Sequence, residues 1–167
     1  MLGSDTPQRR YAWARGLTAM RERVTELAQA RLVIGGQRAG FAGLAPGVVE
    51  EAWLSLKQQK PLYVAGGFGG AARAVSDRLL GIERAEFSED WARRNVPEYE
   101  ATCALHTRPG SELPAMARMG ADLAASGGAG LAQALYNGLD EAENRELLYC
   151  TDPQRIAGLV LTGLGRL

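Results

Sequence analysis

The sequence predicts an α/β protein in which a parallel sheet is flanked by helices and followed by a mainly helical C-terminal part. Two apolar runs, "RLVIGG" at 31–36 and "KPLYVAGGFGG" at 60–70, both end in glycines, and a helical pattern separates them. Strands that alternate with a helix form a parallel pair with a right-handed crossover. We therefore expect a core over 11–81 and a mainly helical part over 82–167 within a single domain.

The first predicted element is an amphipathic helix over about residues 11–29. One helical stripe carries its large apolar side chains, and we expect that stripe to face the core. Its members are Trp13, Leu17, Met20, Val24 and Leu27. The buried strand "RLVIGG" follows and ends at Gly35 and Gly36.

The helix predicted between the strands begins near Pro46, which suits a first helical turn, and Trp53 lies on its packing face. A further helix follows the second strand and ends at Gly81. In the C-terminal part, Asp140 and Glu143 have the spacing of a capping box, and Asp152 before Pro153 marks a helix start.

Composition narrows the function classes. The 167 residues suit one domain, and 19 Lys and Arg balance 19 Asp and Glu, so we expect neither a nucleic-acid partner nor an acidic membrane surface. Two cysteines form no disulfide framework, and a single histidine, His106, disfavours a zinc site. We expect a cytoplasmic protein with no metal and no cofactor.

The glycines at the strand ends predict a ligand site. Ligands of open α/β sheets bind beyond the carboxyl ends of the strands, where glycine-rich loops and helix N-termini accept phosphate. The predicted binding residues are Gly35, Gly36, Arg38, Gly47, Glu50, Gly66, Gly67, Phe68 and Gly69. The alternative is that the glycines only permit tight turns.

Two carboxylates, Glu50 and Glu51, lie in the first turns of the helix between the strands. Acidic residues there oppose the helix dipole favourably, which accounts for one of them. A carboxylate beside a phosphate site also suits a sugar hydroxyl or acid/base work at an anomeric carbon. Arg21 and Arg23 lie on the flanks of the first helix, and the simplest interpretation makes them solvated charges.

"MRERVTELAQARLVIGG" followed by "PGVVEE" resembles the Lonely Guy family of nucleotide phosphoribohydrolases. The resemblance covers about residues 17–78 and implies that Arg23 and Glu51 form a catalytic pair while the glycine loop holds the phosphate. Val48 replaces the threonine of the family motif, and the inserted "QRAGFAGLAP" separates its two glycine elements.

The stretch from Gly35 to Val75, with "NGLDEAENRELLYCTD" further on, resembles the wider SLOG superfamily of prokaryotic conflict systems. That resemblance implies a Rossmann-like fold, a homo-oligomer and a TIR or sirtuin-like effector. In those relatives a strand, a glycine turn and a further strand come first, and none precedes Tyr11. We therefore expect that the sheet lacks its N-terminal half, and that a longer protein or a partner chain supplies it.

Three functions remain open at the level of sequence. The preferred one is a sensor of a nucleotide derivative, either ADP-ribose-like or a cyclic nucleotide signal, with Arg23 and Arg38 as charge partners of the ligand. The alternative is hydrolysis of an N-glycosidic bond by Arg23 and Glu51. The third is a degenerate domain that only mediates oligomerisation.

Overall fold

The computed structural model describes residues 6–105, 113 and 115–167. His106 lies outside the described residues. The first half of the chain alternates helix and strand, in the order α1 (Pro7–Leu27), β1 (Arg31–Ile34), α2 (Gly47–Lys57), β2 (Leu62–Ala65) and α3 (Gly70–Leu79). The second half is helical, with a 3₁₀ turn (Ala85–Phe87), α4 (Glu89–Asn95), α5 (Tyr99–Cys103), α6 (Met116–Gly128), α7 (Leu131–Ala134), α8 (Glu141–Tyr149) and α9 (Pro153–Leu164).

The two strands form a parallel pair in which Arg31 lies opposite Leu62 and Ile34 lies opposite Ala65. The predicted parallel pairing is confirmed. Among the described residues the sheet contains these two strands only, so the mixed α/β character of the chain rests on eight paired positions. The arrangement is consistent with a Rossmann-like fold.

Each face of the sheet packs against its own apolar core. Val33, Leu62 and Val64 point to the face covered by α2, α3 and α6. Tyr63 and Ala65 point to the opposite face, where α8 and α9 cover them with Leu147, Ile156 and Leu159. Because a parallel pair has to be covered on both sides, these two layers of helices account for most of the chain.

The outer edge of β2 is sealed by the loop after α7. The N–H of Leu62 donates to the carbonyl of Leu135 at 2.9 Å. The carbonyl of Leu62 accepts from Asn137 Nδ2 at 2.8 Å, and the Tyr63 hydroxyl donates to the Asn137 backbone carbonyl at 2.8 Å. Asn137 is fully buried and also bonds Asn144 at 2.8 Å. This amide therefore ties the sheet to the helical part.

The orientation predicted for α1 is wrong. The side chains that α1 buries are small or polar, namely Ala14, Thr18 and Thr25. The apolar stripe that was expected to face the core is exposed at Trp13, Met20, Val24 and Leu27. The helix turns its polar side inward because α2 and β1 present charged groups there, which require hydrogen-bond partners.

The helix ends in the C-terminal part confirm the sequence prediction. The Asp140 carboxylate accepts from the N–H of Glu143 at 2.8 Å, and the Glu143 carboxylate accepts from the N–H of Asp140 at 2.9 Å. These two bonds form the capping box of α8. Asp152 caps α9 through the N–H of Gln154 at 2.9 Å. None of the helices in the described part of the chain has the length and apolarity needed to cross a membrane.

Replacing Asn137 with alanine should destabilise the fold by about 3 kcal/mol, because the change leaves a strand carbonyl and a second buried amide without their donor and acceptor. Urea unfolding measures the loss. The control is Asn95→Ala, which removes an amide from an exposed position of α4 and should change stability by less than about 0.5 kcal/mol. Equal effects of the two substitutions would contradict the role assigned to Asn137.

Candidate functional site

The glycines that follow the two strands meet at the carboxyl end of the sheet. Gly35 and Gly36 contact Gly70, which follows Gly69, across this end, and we call these four residues the glycine seam. A Cβ on Gly70 would lie 2.5 Å from the carbonyl oxygen of Gly36. The loop after β1 and the first turn of α3 therefore touch backbone to backbone, at the place where sheets of this kind bind ligands.

The glycine seam engages two of the first three amides of α3. The N–H of Ala71 donates to the carbonyl of Gly36 at 3.0 Å, and the N–H of Ala72 donates to the carbonyl of Gly35 at 2.7 Å. Gly69 donates to Gly66 at 3.0 Å. Three of the amides that could hold a phosphate thus hold the protein's own carbonyls.

The N-terminus of α2 lies next to the seam and is open. Val48 contacts Gly36, since a Cβ on that glycine would come within 2.6 Å of Val48 Cγ2. The N–H groups of Gly47 and Val48 donate to none of the residues that the structure describes. The Arg21 guanidinium lies over Gly47, 2.7 Å from where a Cβ would stand. Two amides, a helix dipole and the guanidinium of Arg21, which is paired with Glu50, therefore meet at this turn.

Three residues of the predicted site have other surroundings. Gly66 and Gly67 pack against the C-terminal end of α8, where a Cβ would collide with the carbonyls of Leu148 and Cys150. Phe68 is exposed and lines a groove with α9. Gly66 and Gly67 thus serve packing in this structure, and Phe68 faces away from the open turn of α2.

Glu50 is the centre of a buried polar network between α1 and α2, which we call the α1–α2 cluster. Its side chain is 5% exposed and contacts the guanidinium of Arg21. The Thr18 hydroxyl donates to Glu50 at 2.5 Å. A cavity of about 10 Å³ adjoins Thr18, Arg21 and Glu50, which is room for one water molecule. Glu50 is therefore fully engaged within the protein.

Glu51 belongs to the same cluster and is shared by two arginines. It accepts from Arg31 Nη1 at 2.6 Å, and its other oxygen lies 3.8 Å from Arg21 Nε. Arg31 also donates to Thr25 at 2.9 Å. One third of the Glu51 side chain is exposed to solvent.

The structure does not bring Arg23 to Glu51. Arg23 is 67% exposed and pairs with Glu26, three residues on, at 2.8 Å. Arg21, one position to the other side of Glu22, occupies the place expected for Arg23 and faces α2. The resemblance assigned the role to Arg23, and the unexpected rotation of α1 brings Arg21 to α2 in its place.

A second group of charges borders the glycine seam, and we call it the arginine cluster: Arg38, Arg73, Asp77, Arg84, Glu86 and Tyr149. Arg38 contacts Glu86 and remains half exposed. Arg73 donates to Asp77 at 2.8 Å, and its guanidinium lies 4.3 Å from the centre of the Tyr149 ring. Three cations and two anions leave one positive charge. Sequence reasoning found only Arg38, although the spacing of Arg73 and Asp77 is that of a helical ion pair.

Proton affinities in the arginine cluster follow these contacts. The hydrogen bond to Asp77 raises the pKa of Arg73. Burial acts to raise the pKa of Glu86, but the net pKa is lowered because a backbone N–H and Arg38 favour the carboxylate. Burial and the neighbouring Asp77 raise the pKa of Tyr149. These shifts favour a charged Arg73, a charged Glu86 and a neutral Tyr149 phenol at neutral pH.

Neither metal nor thiol chemistry is favoured by the described side chains. They contain no group of three or more His, Cys, Asp or Glu that could hold a metal ion. Cys103 lies in a groove of about 400 Å³ between α4 and α5. Burial raises the pKa of its thiol, and that of Tyr99 beside it to about 12. A thiol whose pKa is raised is a poor nucleophile.

One protein-family model matches most of the chain. The model of the family SLOG cluster2 matches residues 1–147. The chain belongs to the SLOG cluster2 family. Membership suggests a nucleotide-related binding or processing domain. The glycine seam of this SLOG protein lies at the carboxyl end of its parallel strands. Neither the curated proteins nor the solved structures contain a match to the chain.

Two alanine substitutions separate the roles of the seam glycines. Gly35→Ala should cost about 1–2 kcal/mol, because the backbone is left-handed there but the space is open. Gly36→Ala should cost about 3 kcal/mol or more, since its Cβ would also press on Val48 and Ala71. Urea unfolding of both variants checks the order, and a smaller loss for Gly36→Ala would contradict the contact between the seam and α2.

Proposed function

We propose that this SLOG domain binds a nucleotide derivative, either ADP-ribose-like or a cyclic nucleotide signal, with a phosphate at the first turn of α2. The observation that carries the proposal is the pair of open amides at Gly47 and Val48, beside a glycine seam at the carboxyl end of a parallel pair. Open amides at a helix N-terminus attract anions through their hydrogens and the helix dipole.

Arg38 is the charge partner in this proposal. Arg38 lies on the loop after β1, two residues beyond Gly36, and its side chain is half exposed. It belongs to the arginine cluster, which has one net positive charge. A phosphate that approaches α2 would compete with Glu86 for its guanidinium. Glu51 has one third of its side chain exposed and is the acceptor that we assign to a ribose hydroxyl.

A ligand-binding role agrees with a sensor that controls an effector of the TIR or sirtuin-like kind in a prokaryotic defence protein. That part of the proposal rests on the resemblance to the SLOG superfamily. A sensor needs affinity without turnover, and both carboxylates of the α1–α2 cluster are held in ion pairs.

Hydrolysis of an N-glycosidic bond is the second candidate. One observation favours it: Glu51 and Arg21 form a carboxylate and guanidinium pair, 3.8 Å apart, at the open turn of α2. In this version Arg21 replaces Arg23 as the arginine of the pair. The two candidates differ in whether a free base is released.

Calorimetry and thermal shift against AMP, ADP-ribose, NAD and cyclic ADP-ribose isomers test the proposed binding. At a hundredfold excess over Kd, a ligand should stabilise the fold by about 2.7 kcal/mol. Arg38→Ala should weaken binding about tenfold. Arg93→Ala is the matched control, because Arg93 is also half exposed and paired with acids, and it should leave binding unchanged. Absence of binding to every nucleotide tested would contradict the proposal.

Chromatography of the same samples decides between sensing and hydrolysis. A sensor should leave every nucleotide intact, whereas a hydrolase should release free base. If base appears, Glu51→Gln should abolish its release while the ligand still binds, because a neutral amide cannot stabilise the developing positive charge. Glu26→Gln, an exposed change on α1, is the control and should preserve release.

A further inference from the structure

Arg84, a member of the arginine cluster, has a guanidinium that is short of acceptors. Its side chain is only 26% exposed. Nη1 lies 3.4 Å from Asp77 Oδ2 and Nη2 lies 3.5 Å from Glu86 Oε1. Both distances exceed the span of about 2.7–3.2 Å that is usual for an N–H···O hydrogen bond. Its Nε atom is buried and has no hydrogen-bond partner within the described part of the chain. Because buried donors are normally bonded, this guanidinium has capacity for a further anion.

Glu86 offers a single carboxylate oxygen to two guanidiniums. Arg38 Nη2 contacts the same Oε1 atom that faces Arg84. The Glu86 side chain is 11% exposed, whereas that of Arg38 is 50% exposed, so solvent reaches one of the two cations. Guanidiniums that converge on an oxygen suit phosphate as well as carboxylate. An anion in the place of Oε1 would therefore lie within reach of both arginines.

The loop that carries Glu86 is anchored on both sides of this residue. Before it, the N–H of Ile82 donates to the carbonyl of Asp77 at 2.8 Å. After it, Phe87 is buried against α6, where a Cβ on Gly120 would come within 2.6 Å of the ring. An exchange of anions at Oε1 thus requires rotation of the Glu86 side chain and no opening of the loop.

We infer that Arg38 and Arg84 together bind the anionic group of the ligand, and that Glu86 is a built-in competitor which this group displaces. The inference rests on the proposed function, in which Arg38 is the charge partner of the ligand. It adds Arg84 to the binding residues and gives Glu86 a role in selecting the ligand. In the empty protein Glu86 holds the two guanidiniums in place for the ligand.

The exchange favours a ligand group with at least two negative charges. Displacement takes one carboxylate charge away from the two guanidiniums. A singly charged phosphodiester only replaces that charge, whereas a diphosphate brings a second one, and Coulomb attraction grows with the product of the charges. Of the two ligand classes in the proposed function, the site therefore selects ADP-ribose-like diphosphates over cyclic mononucleotides.

Calorimetry of the whole chain with ADP-ribose and with cyclic AMP tests the inference. The parent should bind ADP-ribose at least tenfold more tightly than cyclic AMP. Glu86→Gln removes the competing charge at nearly constant size and should tighten ADP-ribose binding about tenfold, since less binding energy is spent on displacement. Glu83→Gln is the matched control. It removes the same charge from the same loop at an 89% exposed position, and it should change the Kd less than about twofold.

Arg84→Gln is the second variant and should weaken ADP-ribose binding about tenfold. Arg145→Gln removes an arginine that is 59% exposed and paired with Glu141, and it should leave binding unchanged. Both Glu86→Gln and Arg84→Gln break the same contact, so a merely structural contact would not shift the Kd in opposite directions. Thermal unfolding without ligand establishes that each variant is folded.

The outcomes separate this inference from the proposed function. If the parent binds ADP-ribose but Glu86→Gln binds it no more tightly than Glu83→Gln, the inference is overturned and the proposed function stands. Equal binding by Arg84→Gln and Arg145→Gln has the same consequence, as does cyclic AMP binding to the parent as tightly as ADP-ribose. If neither the parent nor Glu86→Gln binds any nucleotide, the proposed function fails and the inference fails with it.

Discussion

The pairing of β1 with β2 is the constraint on which the rest of the structure depends. Two strands have two faces and two edges to cover, and alone they are marginal in water. Helices α2, α3 and α6 cover one face, α8 and α9 cover the other, and Asn137 seals the outer edge of β2. The helical part is therefore the structural requirement of a very small sheet, and the edge of β1 alone lacks such a cover among the described residues.

The same pairing decides where a ligand can be held. Parallel strands end side by side, so the loops after them must meet, and here they meet through glycine backbones. That contact gives the second and third amides of α3, those of Ala71 and Ala72, to the carbonyls of Gly36 and Gly35. The amides of Gly47 and Val48 stay open because α2 enters from the longer loop after β1, which passes beside the seam and does not cap the helix with a side chain.

Structural features that depend on adjacent residues could be predicted from the sequence, whereas those that depend on contacts between distant segments could not. The strands, their direction and the caps at Asp140 and Asp152 could be predicted, because apolar runs and capping spacings are properties of adjacent residues. The site could be predicted only as a location. Which glycines pack and which lie open depends on α8, far along the chain, and the choice of Arg21 over Arg23 depends on how α1 is rotated.

The rotation of α1 follows from the charges that this helix meets on its neighbours. Helix α1 carries a small and polar stripe and a large apolar one, and the rule that apolar residues face the core selects the second. In this chain the charges of Glu50 and Arg31 require the polar stripe as a source of hydrogen-bond partners. Leaving a buried charge unpaired costs more free energy than burying a valine or methionine would gain. The apolar stripe is then left exposed at Trp13, Met20, Val24 and Leu27. The burial rule fails for α1 because it weighs apolar area alone, whereas the neighbouring elements bring charges that only the polar stripe can pair.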